Sequence, residues 1–334
     1  MPEFVCWTVM EDVAGMASQC RGLAEALRLK PVEKKVSPRL PWLILPVDHW
    51  PWPFLALGPR SDRFEPPWPD ILISCGRKAI PFALAVKRAS GGETFIVHIQ
   101  NPLISPAAFD LVAAPRHDRV RGENVVPTRG AVHQVTPAKL AEAAEHFGPR
   151  LAGLNRPLIA VLVGGPNGRY SLSPEDTRVI AARVADLARR HGGSLCVTPS
   201  RRTGRDNEAA LREGLKDAPA LVWDGTGENP YFGFLALADH ILVTADSVSM
   251  ISEACGTGKP VYVIDLPGGS RRQRRFHAAL EAEGCIRRFA DRLDTWSYEP
   301  ILDAALVAAE VTRRMAARSG IRRKREMGYK NRLA

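Results

Sequence analysis

Small polar residues and a carboxylate follow one another closely in the segment Thr244–Asp265, which reads TADSVSMISEACGTGKPVYVID. The pattern predicts a strand, a polar turn and then a helix. Because backbone N–H groups at a helix N-terminus bind anions, we expect Asp246, Ser247 and Ser249 to form a phosphate site. One helical turn later, Glu253 is placed to accept both hydroxyl groups of a ribose. The alternative is that these residues only cap the helix and that Glu253 is solvated.

A glycine-rich loop, GGPNGRYSLSP, follows the first apolar run of the second half of the chain. Glycine lets the backbone approach a ligand closely, so the loop is a second candidate for contact with phosphate. The candidate residues in it are Gly164, Gly165, Asn167 and Gly168. Glycine-rich turns between strands and helices are common, so this loop alone does not indicate a phosphate site. The prediction depends on having two such turns at the same edge of one sheet.

Two further loops follow the next strands. TPSRRTG contains Ser200, Arg201 and Arg202, and arginines beside hydroxyl groups suit a diphosphate or the charge that develops on it. DGTGENPY contains Glu228 and Asn229, which we expect beside the base or the sugar. The alternatives are a solvated basic loop for the first and a simple helix cap for the second.

The elements that position these loops are regularly spaced apolar runs separated by segments of helix length. Repeated strand–helix units predict parallel sheets with right-handed crossovers, whose ligands bind at the carboxyl ends of the strands. We therefore predict an α/β fold of two Rossmann-like domains with parallel sheets facing across a cleft. Composition changes near residue 150 predict domains at 1–150 and 151–298, followed by a C-terminal helix and basic tail at 299–334.

The net charge of +10 is concentrated at one end of the 334-residue chain. Nine Lys and Arg residues and one acid lie between residues 312 and 334, which leaves +2 for the other 311 residues. This distribution argues against a broadly basic nucleic-acid groove and leaves a basic tail to be explained.

The cysteines and the hydropathy indicate an intracellular protein. Six cysteines are scattered without a CxxC pair, so we expect buried free thiols and neither zinc nor disulfides. The chain has no apolar run of about eighteen residues, and its N-terminus lacks the features of a signal peptide. We expect a cytoplasmic protein with peripheral contact to the inner membrane.

Several blocks of the sequence are similar to the plant elongated-mitochondria fission-factor family and its bacterial relatives. The similarity spans about Trp7 to Leu266 and includes ISCGRKA, HIQNP, NVVPTRGAVH, GGPNGRYSL, TPSRRTG, DGTGENPYFGFLALAD and TADSVSMISEACGTGKPVYV. The last block also resembles the nucleotide-sugar site of GT-B glycosyltransferases and of UDP-N-acetylglucosamine epimerase. This resemblance implies a GT-B fold with the donor in the C-terminal domain, where Ser247 and Ser249 meet phosphate and Glu253 meets ribose.

The resemblance also implies that the N-terminal domain carries the acceptor side. Its candidate residues are Gly15, Gln19, Gln100 and Asn101. An acceptor hydroxyl must lose a proton, so Asp12 or His98 is the candidate general base, since histidine titrates near neutrality. The alternative for His98 is a structural hydrogen bond at the end of the strand TFIVHIQ.

The leading functional hypothesis is glycosyl transfer from a nucleotide-diphosphate sugar to an unknown acceptor, with a lipid-linked acceptor as one candidate. Arginines and helix dipoles replace a metal at the leaving diphosphate, in keeping with the lack of a DxD-type pair, so no cofactor is expected. The alternatives are epimerisation or hydrolysis of the same donor, and a non-catalytic GT-B-like scaffold involved in membrane or organelle fission.

A stretch from Pro41 to Pro69 contains four tryptophans and predicts a long ordered loop. Tryptophan suits membrane interfaces, and Lys and Arg are attracted to anionic headgroups, so the basic C-terminus is expected to contact an anionic membrane. The alternatives are tryptophans buried in the domain core and a solvated, frayed tail.

Overall fold

A computed structural model describes residues 4–333, except for the side chains of residues 48 and 319–333. The chain divides into two compact units, one running to Gln134 and resuming at Leu302, the other comprising Val135–Ile301. Each unit is built on a six-stranded sheet in which every strand pair is parallel. The predicted α/β class with two Rossmann-like sheets is therefore confirmed.

The sheet of the first unit has the strand order β2-β1-β3-β4-β5-β6, so the order reverses between β1 and β3. Its strands are β1 (Cys6–Met10), β2 (Pro31–Lys35), β3 (Ile71–Cys75), β4 (Phe95–Ile99), β5 (Leu111–Pro115) and β6 (Val125–Thr128). Two of its helices are α1 (Ala14–Ala26) and α2 (Ile80–Ala89).

The sheet of the second unit has the order β12-β11-β10-β7-β8-β9, which reverses between β7 and β10. Its strands are β7 (Leu158–Val163), β8 (Ser194–Pro199), β9 (Ala220–Val222), β10 (His240–Thr244), β11 (Val261–Ile264) and β12 (Ile286–Arg288). Its helices are α3 (Pro137–Leu151), α4 (Pro174–His191), α5 (Arg205–Leu215), α6 (Tyr231–Leu237), α7 (Val248–Cys255) and α8 (Arg271–Ala282). In a doubly wound sheet of this order, ligands bind outside the carboxyl ends of the two strands at the reversal.

Packing accounts for where the compact units divide. Helix α3 runs across the expected boundary at 150 and belongs to the second unit, where Phe147 packs directly over Gly233 of α6. The last helix, α9 (Asp303–Leu333), returns to the first unit, where Val307 and Val311 are buried in the core that contains α1. Within the described residues, no helix combines the length and the apolarity needed to cross a membrane.

Local sequence signals explain why the elements begin where they do. Every residue of β7 is buried, as its unbroken apolar run predicts for a strand covered on both faces. Helix α4 begins with Ser173 and Asp176 in a reciprocal capping box, with Pro174 at its first position. All six cysteines are free and buried, and burial raises the pKa of the Cys6 and Cys196 thiols to about 12.

Candidate functional site

The buried carboxylate of Asp246 joins three loops at the carboxyl edge of the second sheet. Its Oδ2 accepts hydrogen bonds from the Gly165 N–H (3.1 Å) and from Arg202 Nη2 (2.7 Å), and its Oδ1 accepts one from Thr244 Oγ1 (2.7 Å). The side chain has 0% exposure. The expectation that Asp246 binds phosphate is therefore corrected: its oxygens are occupied by protein donors, and a carboxylate repels phosphate.

The glycines of the first loop allow it to pack closely against the other loops that Asp246 joins. A Cβ on Gly164 would lie 2.2 Å from Asp246 Oδ1, and one on Gly165 would lie 2.1 Å from the carbonyl oxygen of Arg202. Arg202 Nη1 also donates to the Gly165 carbonyl oxygen (2.9 Å). The sequence predicts that these glycines let a ligand approach the backbone, whereas in the structure the close approach is between the loops themselves.

The other predicted residues of these loops either form hydrogen bonds that shape their own loop or are exposed to solvent. The hydroxyl of Ser200 lies 3.3 Å from Thr203 Oγ1 and accepts from the Arg202 N–H (3.2 Å). The Asn167 Oδ1 accepts from the N–H groups of Arg169 and Tyr170 and so shapes its own turn. Gly168 has open space around its Cα, and the exposed Arg201 forms no ion pair within the described chain.

The N-terminus of α7 carries hydrogen-bond donors that the described protein leaves unused. Ser247 caps the helix, since its hydroxyl accepts from the Met250 N–H (3.3 Å). The N–H groups of Val248 and Ser249 and the Ser249 hydroxyl have no partner among residues 4–333. Because this helix starts where β10 ends, beside β7, the unused donors lie at the reversal of the strand order.

A basic segment that the sequence analysis missed adjoins this edge. The loop after β11, PGGSRRQRR, packs on the glycine-rich loop, with the Gly269 N–H donating to the Arg169 carbonyl oxygen (2.7 Å). It places Arg271 and Arg274 in the first turn of α8, where a cation is unfavourable for the helix dipole unless an anion is near. The signal available in the sequence was the glycine pair followed by Ser270 and these arginines.

Glu253 is buried and paired with a residue that the sequence analysis also missed. Tyr231, the first residue of α6, donates its hydroxyl to Glu253 Oε2 (2.6 Å). Burial, and then the Glu253 carboxylate, raise the pKa of Tyr231 well above its ordinary value. The solvated-surface alternative for Glu253 is thereby excluded. A tyrosine directly after ENP was the available signal, but only the fold shows its partner.

The loop before α6 is directed to α3. Asn229 Oδ1 accepts from the Tyr231 N–H (3.0 Å) and so shapes the turn that precedes the helix. Glu228 Oε2 lies 2.6 Å from His146 Nε2 of α3. Both loop residues line an open groove of about 620 Å³ whose other walls include Phe147 and Phe232. The structure thus pairs Glu228 with α3 and uses Asn229 to shape the turn before α6.

In the first unit, the structure does not support His98 as a general base. Its imidazole is fully buried, stacks on Phe109 at 5.0 Å between ring centroids, and its Nδ1 lies 2.9 Å from Ser74 Oγ. Burial lowers the pKa of His98 to about 3, so the ring is neutral near pH 7. The structural alternative applies: His98 is a core residue.

The low pKa of His98 predicts that the stability of the folded protein depends on pH. In the unfolded chain the ring binds a proton below about pH 6.5, whereas the folded protein resists protonation down to about pH 3. Stability is therefore lost as the pH falls, by about 2 kcal/mol from this group between pH 7 and pH 5. Urea unfolding of wild type and His98→Asn across this range checks it. Equal pH slopes for the two proteins would contradict it.

The other acceptor-side candidates lie at the carboxyl edge of the first sheet. Gln19 Nε2 donates to the Gly15 carbonyl oxygen (3.0 Å), and Gln100 Nε2 donates to Gln19 Oε1 (3.4 Å). Gln100 has φ of +85°, a strained conformation that clusters at functional sites. Asp12 pairs with Lys35 Nζ at 3.1 Å.

Asn101 completes the set, and its Oδ1 accepts from the Leu103 N–H (2.9 Å). The structure thus brings Gly15, Gln19 and Gln100 into one hydrogen-bonded group and uses Asn101 to shape its loop. Among the residues that the structure describes, no cluster of three His, Cys, Asp or Glu side chains is placed to hold a metal ion.

Comparison with known proteins identifies relatives that match most of the chain. The family model described as Mitochondrial fission ELM1 matches residues 14–315. The chain is 35% identical over 286 residues to the Mitochondrial fission protein ELM1 of Arabidopsis thaliana. The match covers 76% of this chain and 66% of the plant protein, slightly less than two thirds of that protein's length.

Solved structures show the fold. The UDP-GlcNAc 2-epimerase from Methanocaldococcus jannaschii matches with a TM-score of 0.55 and 11% identity, over 92% of this chain and 99% of the other. The UDP-GlcNAc 2-epimerase from Neisseria meningitidis, solved bound to UDP-GlcNAc, matches with a TM-score of 0.51 and 12% identity over the same shares. At such identities the likeness establishes a GT-B-like fold and nothing about the ligand.

Proposed function

This chain belongs to the mitochondrial fission ELM1 family, and we propose that its second unit binds the diphosphate of a nucleotide-sugar at the N-terminus of α7. The observation that carries this proposal is the set of unused donors on Val248 and Ser249 at the reversal of the strand order. A helix N-terminus at this place in a doubly wound sheet attracts phosphate by its dipole and its free N–H groups.

The surrounding residues complete the proposed site. The exposed cations of Arg169 and Arg201 neutralise the diphosphate, while the ion pair between the buried Asp246 and the partly exposed Arg202 holds the loops that carry them. Glu253, oriented by Tyr231, accepts the ribose hydroxyls. A neighbour of the same fold was solved with UDP-GlcNAc, so uridine diphosphate is the first nucleotide to test.

The proposed reaction is metal-independent glycosyl transfer to an acceptor bound by the first unit. The dipole of α7 and the arginines stabilise the charge of the leaving diphosphate. With His98 buried, Asp12 is the remaining candidate for the general base. The loss of His98 as a base also favours a second candidate function, a GT-B-like protein that binds a nucleotide-sugar without transferring the sugar.

The substitution Ser249→Asp tests the site. It places a negative charge among the donors, so we expect at least about a tenfold loss of affinity for uridine diphosphate in calorimetry. The fold is retained, because an acidic residue in the first turn of a helix stabilises it by about 0.3–1 kcal/mol.

Ser297→Asp is the matched control. It adds the same charge in an exposed loop next to Tyr298, whose hydroxyl bonds the Lys259 carbonyl near the opposite, amino end of β11. The control should bind like wild type. Equal affinity of all three proteins, or no binding of any nucleoside diphosphate by wild type, refutes the site. Release of uridine diphosphate from UDP-GlcNAc with an acceptor extract then separates transfer from binding alone.

A further inference from the structure

Five large apolar side chains are exposed on one loop of the first unit, between β2 and β3. We call them the apolar loop surface: Leu40, Leu43, Ile44, Trp52 and Leu55. Ile44 is 77% exposed and Trp52 is 75% exposed. Single exposed apolar residues are ordinary, but a cluster of them on one segment marks an interaction site.

Hydrogen bonds hold the two limbs of this loop together. The Arg39 N–H donates to the Ala56 carbonyl oxygen (2.9 Å), and the Gly58 N–H donates to that of Ser37 (3.0 Å). Near the tip, the Trp42 indole N–H donates to the Pro51 carbonyl oxygen (3.0 Å). Leu43 and Ile44 directly follow Trp42, and Trp52 directly follows Pro51, so these exposed side chains are brought to one end of the loop.

The base of the loop is anchored in the core, so the exposure does not come from a loose segment. Trp50 is buried against Phe82, with ring centroids 5.8 Å apart, and Phe54 stacks on Trp68 at 6.0 Å. These contacts place most of the aromatic rings inward, as the core alternative predicted. Trp52 is the exception: its φ of +45° is strained for a bulky residue, and its side chain is held outward.

Cations border the apolar loop surface. Arg39 lies over the Trp42 ring at 5.9 Å, and Arg88 lines an open groove of about 780 Å³ beside Trp52. Arg60 and Arg88 are exposed and form no ion pair within the described residues. The sequence from 36 to 60 contains two arginines and one acidic residue.

We propose that the apolar loop surface inserts into the headgroup region of an anionic lipid bilayer. Tryptophan and aliphatic side chains enter the interface, while the arginines at the fringe contact anionic headgroups. The proposal uses no residue of the nucleotide site. Three of the nine basic residues of the tail are described and form ion pairs within the protein, namely Arg313, Arg314 and Arg318, and the other six lie outside the described side chains.

Vesicle flotation with the full chain tests the proposal. Wild type should bind phosphatidylcholine vesicles that contain phosphatidylglycerol and bind pure phosphatidylcholine vesicles more weakly. The variant Ile44→Ser/Trp52→Ser should partition at least about tenfold less onto the anionic vesicles, because it removes two inserting side chains. The matched control is Val179→Ser/Leu306→Ser, which removes two apolar side chains exposed elsewhere and should bind like wild type.

A second measurement reads insertion directly and does not depend on the double variant folding. Brominated lipids should quench the fluorescence of wild type more strongly than that of Trp52→Phe, whose remaining tryptophans are unchanged. Equal quenching in these two proteins overturns the proposal. It is equally overturned if the double variant, folded by circular dichroism, floats like wild type, or if only its self-association changes, which would assign the surface to a second copy of the chain.

Discussion

Replacing Gly165 by alanine is expected to lower the free energy of unfolding by about 3 kcal/mol or more, since overpacking against fixed atoms is costly. The added Cβ would lie 2.1 Å from the carbonyl oxygen of Arg202 and 2.6 Å from the Thr203 nitrogen. These are backbone atoms of the neighbouring loop, so no side-chain rotation relieves the clash. The loops after β7 and β8 must separate, which also moves the glycine-rich turn away from α7.

The matched control is Gly168→Ala in the same loop. A Cβ on Gly168 meets no atom within 4 Å, and its φ is outside the left-handed region. We expect a change within about 0.5 kcal/mol, as at an ordinary surface position. Urea unfolding of the two variants and wild type measures the difference. Equal stabilities for the two variants would show that the loops have more freedom than the contact distances allow.

Replacing Asp246 by asparagine is expected to cost about 3 kcal/mol, because breaking a buried ion pair leaves its partners uncompensated. An asparagine can keep its carbonyl oxygen toward the Gly165 N–H and the Arg202 guanidinium only by turning its N–H groups toward Thr244 Oγ1, which donates to Asp246 in the wild type, and the negative charge opposite Arg202 is lost in either orientation. Arg202 is partly exposed and regains some solvation, which keeps the cost at the lower end for a buried pair. Binding of uridine diphosphate should weaken as well, although no Asp246 oxygen is available to a ligand.

The control for this prediction is Asp291→Asn. Asp291 also forms two hydrogen bonds with an arginine, Arg183, at 2.8 and 3.1 Å, but both side chains are substantially exposed. Surface pairs of this kind contribute about 0–1 kcal/mol. Thermal and urea unfolding should therefore separate the two variants clearly. A similar small loss for both would mean that Asp246 is accessible to water and open to a ligand after all.

The architecture was predictable because short stretches of sequence determine where its strands lie and where its helices begin. Unbroken apolar runs such as 158–163 predict strands covered on both faces, and Ser173 with Pro174 marks where α4 begins. The edge at which the candidate loops meet was predictable for the same reason, since parallel strands place the following loops at one edge. The polar turn at 246–249 was found from its residue types, and Ser249 retains the free donors that those types suggested.

Which polar groups the protein itself occupies was not predictable. Asp246 and Ser249 are three residues apart and look equally suited to a ligand, yet the oxygens of Asp246 are taken by donors from Gly165 and Arg202. His98 is likewise enclosed by Ser74 and Phe109 from neighbouring parts of the sheet. Such partners are distant along the chain, so no local pattern encodes them.

The order of side chains along the chain was therefore sufficient to predict the strands, the helix starts and the edge where the candidate loops meet, because the hydrogen-bonding and apolar patterns of these elements are local. Which side chains are buried, and which polar groups pair with each other, could be seen only in the folded structure. Tyr231 meets Glu253, and Trp52 faces solvent while Trp50 is buried, only because packing brings together residues far apart in sequence and chooses which neighbours are covered.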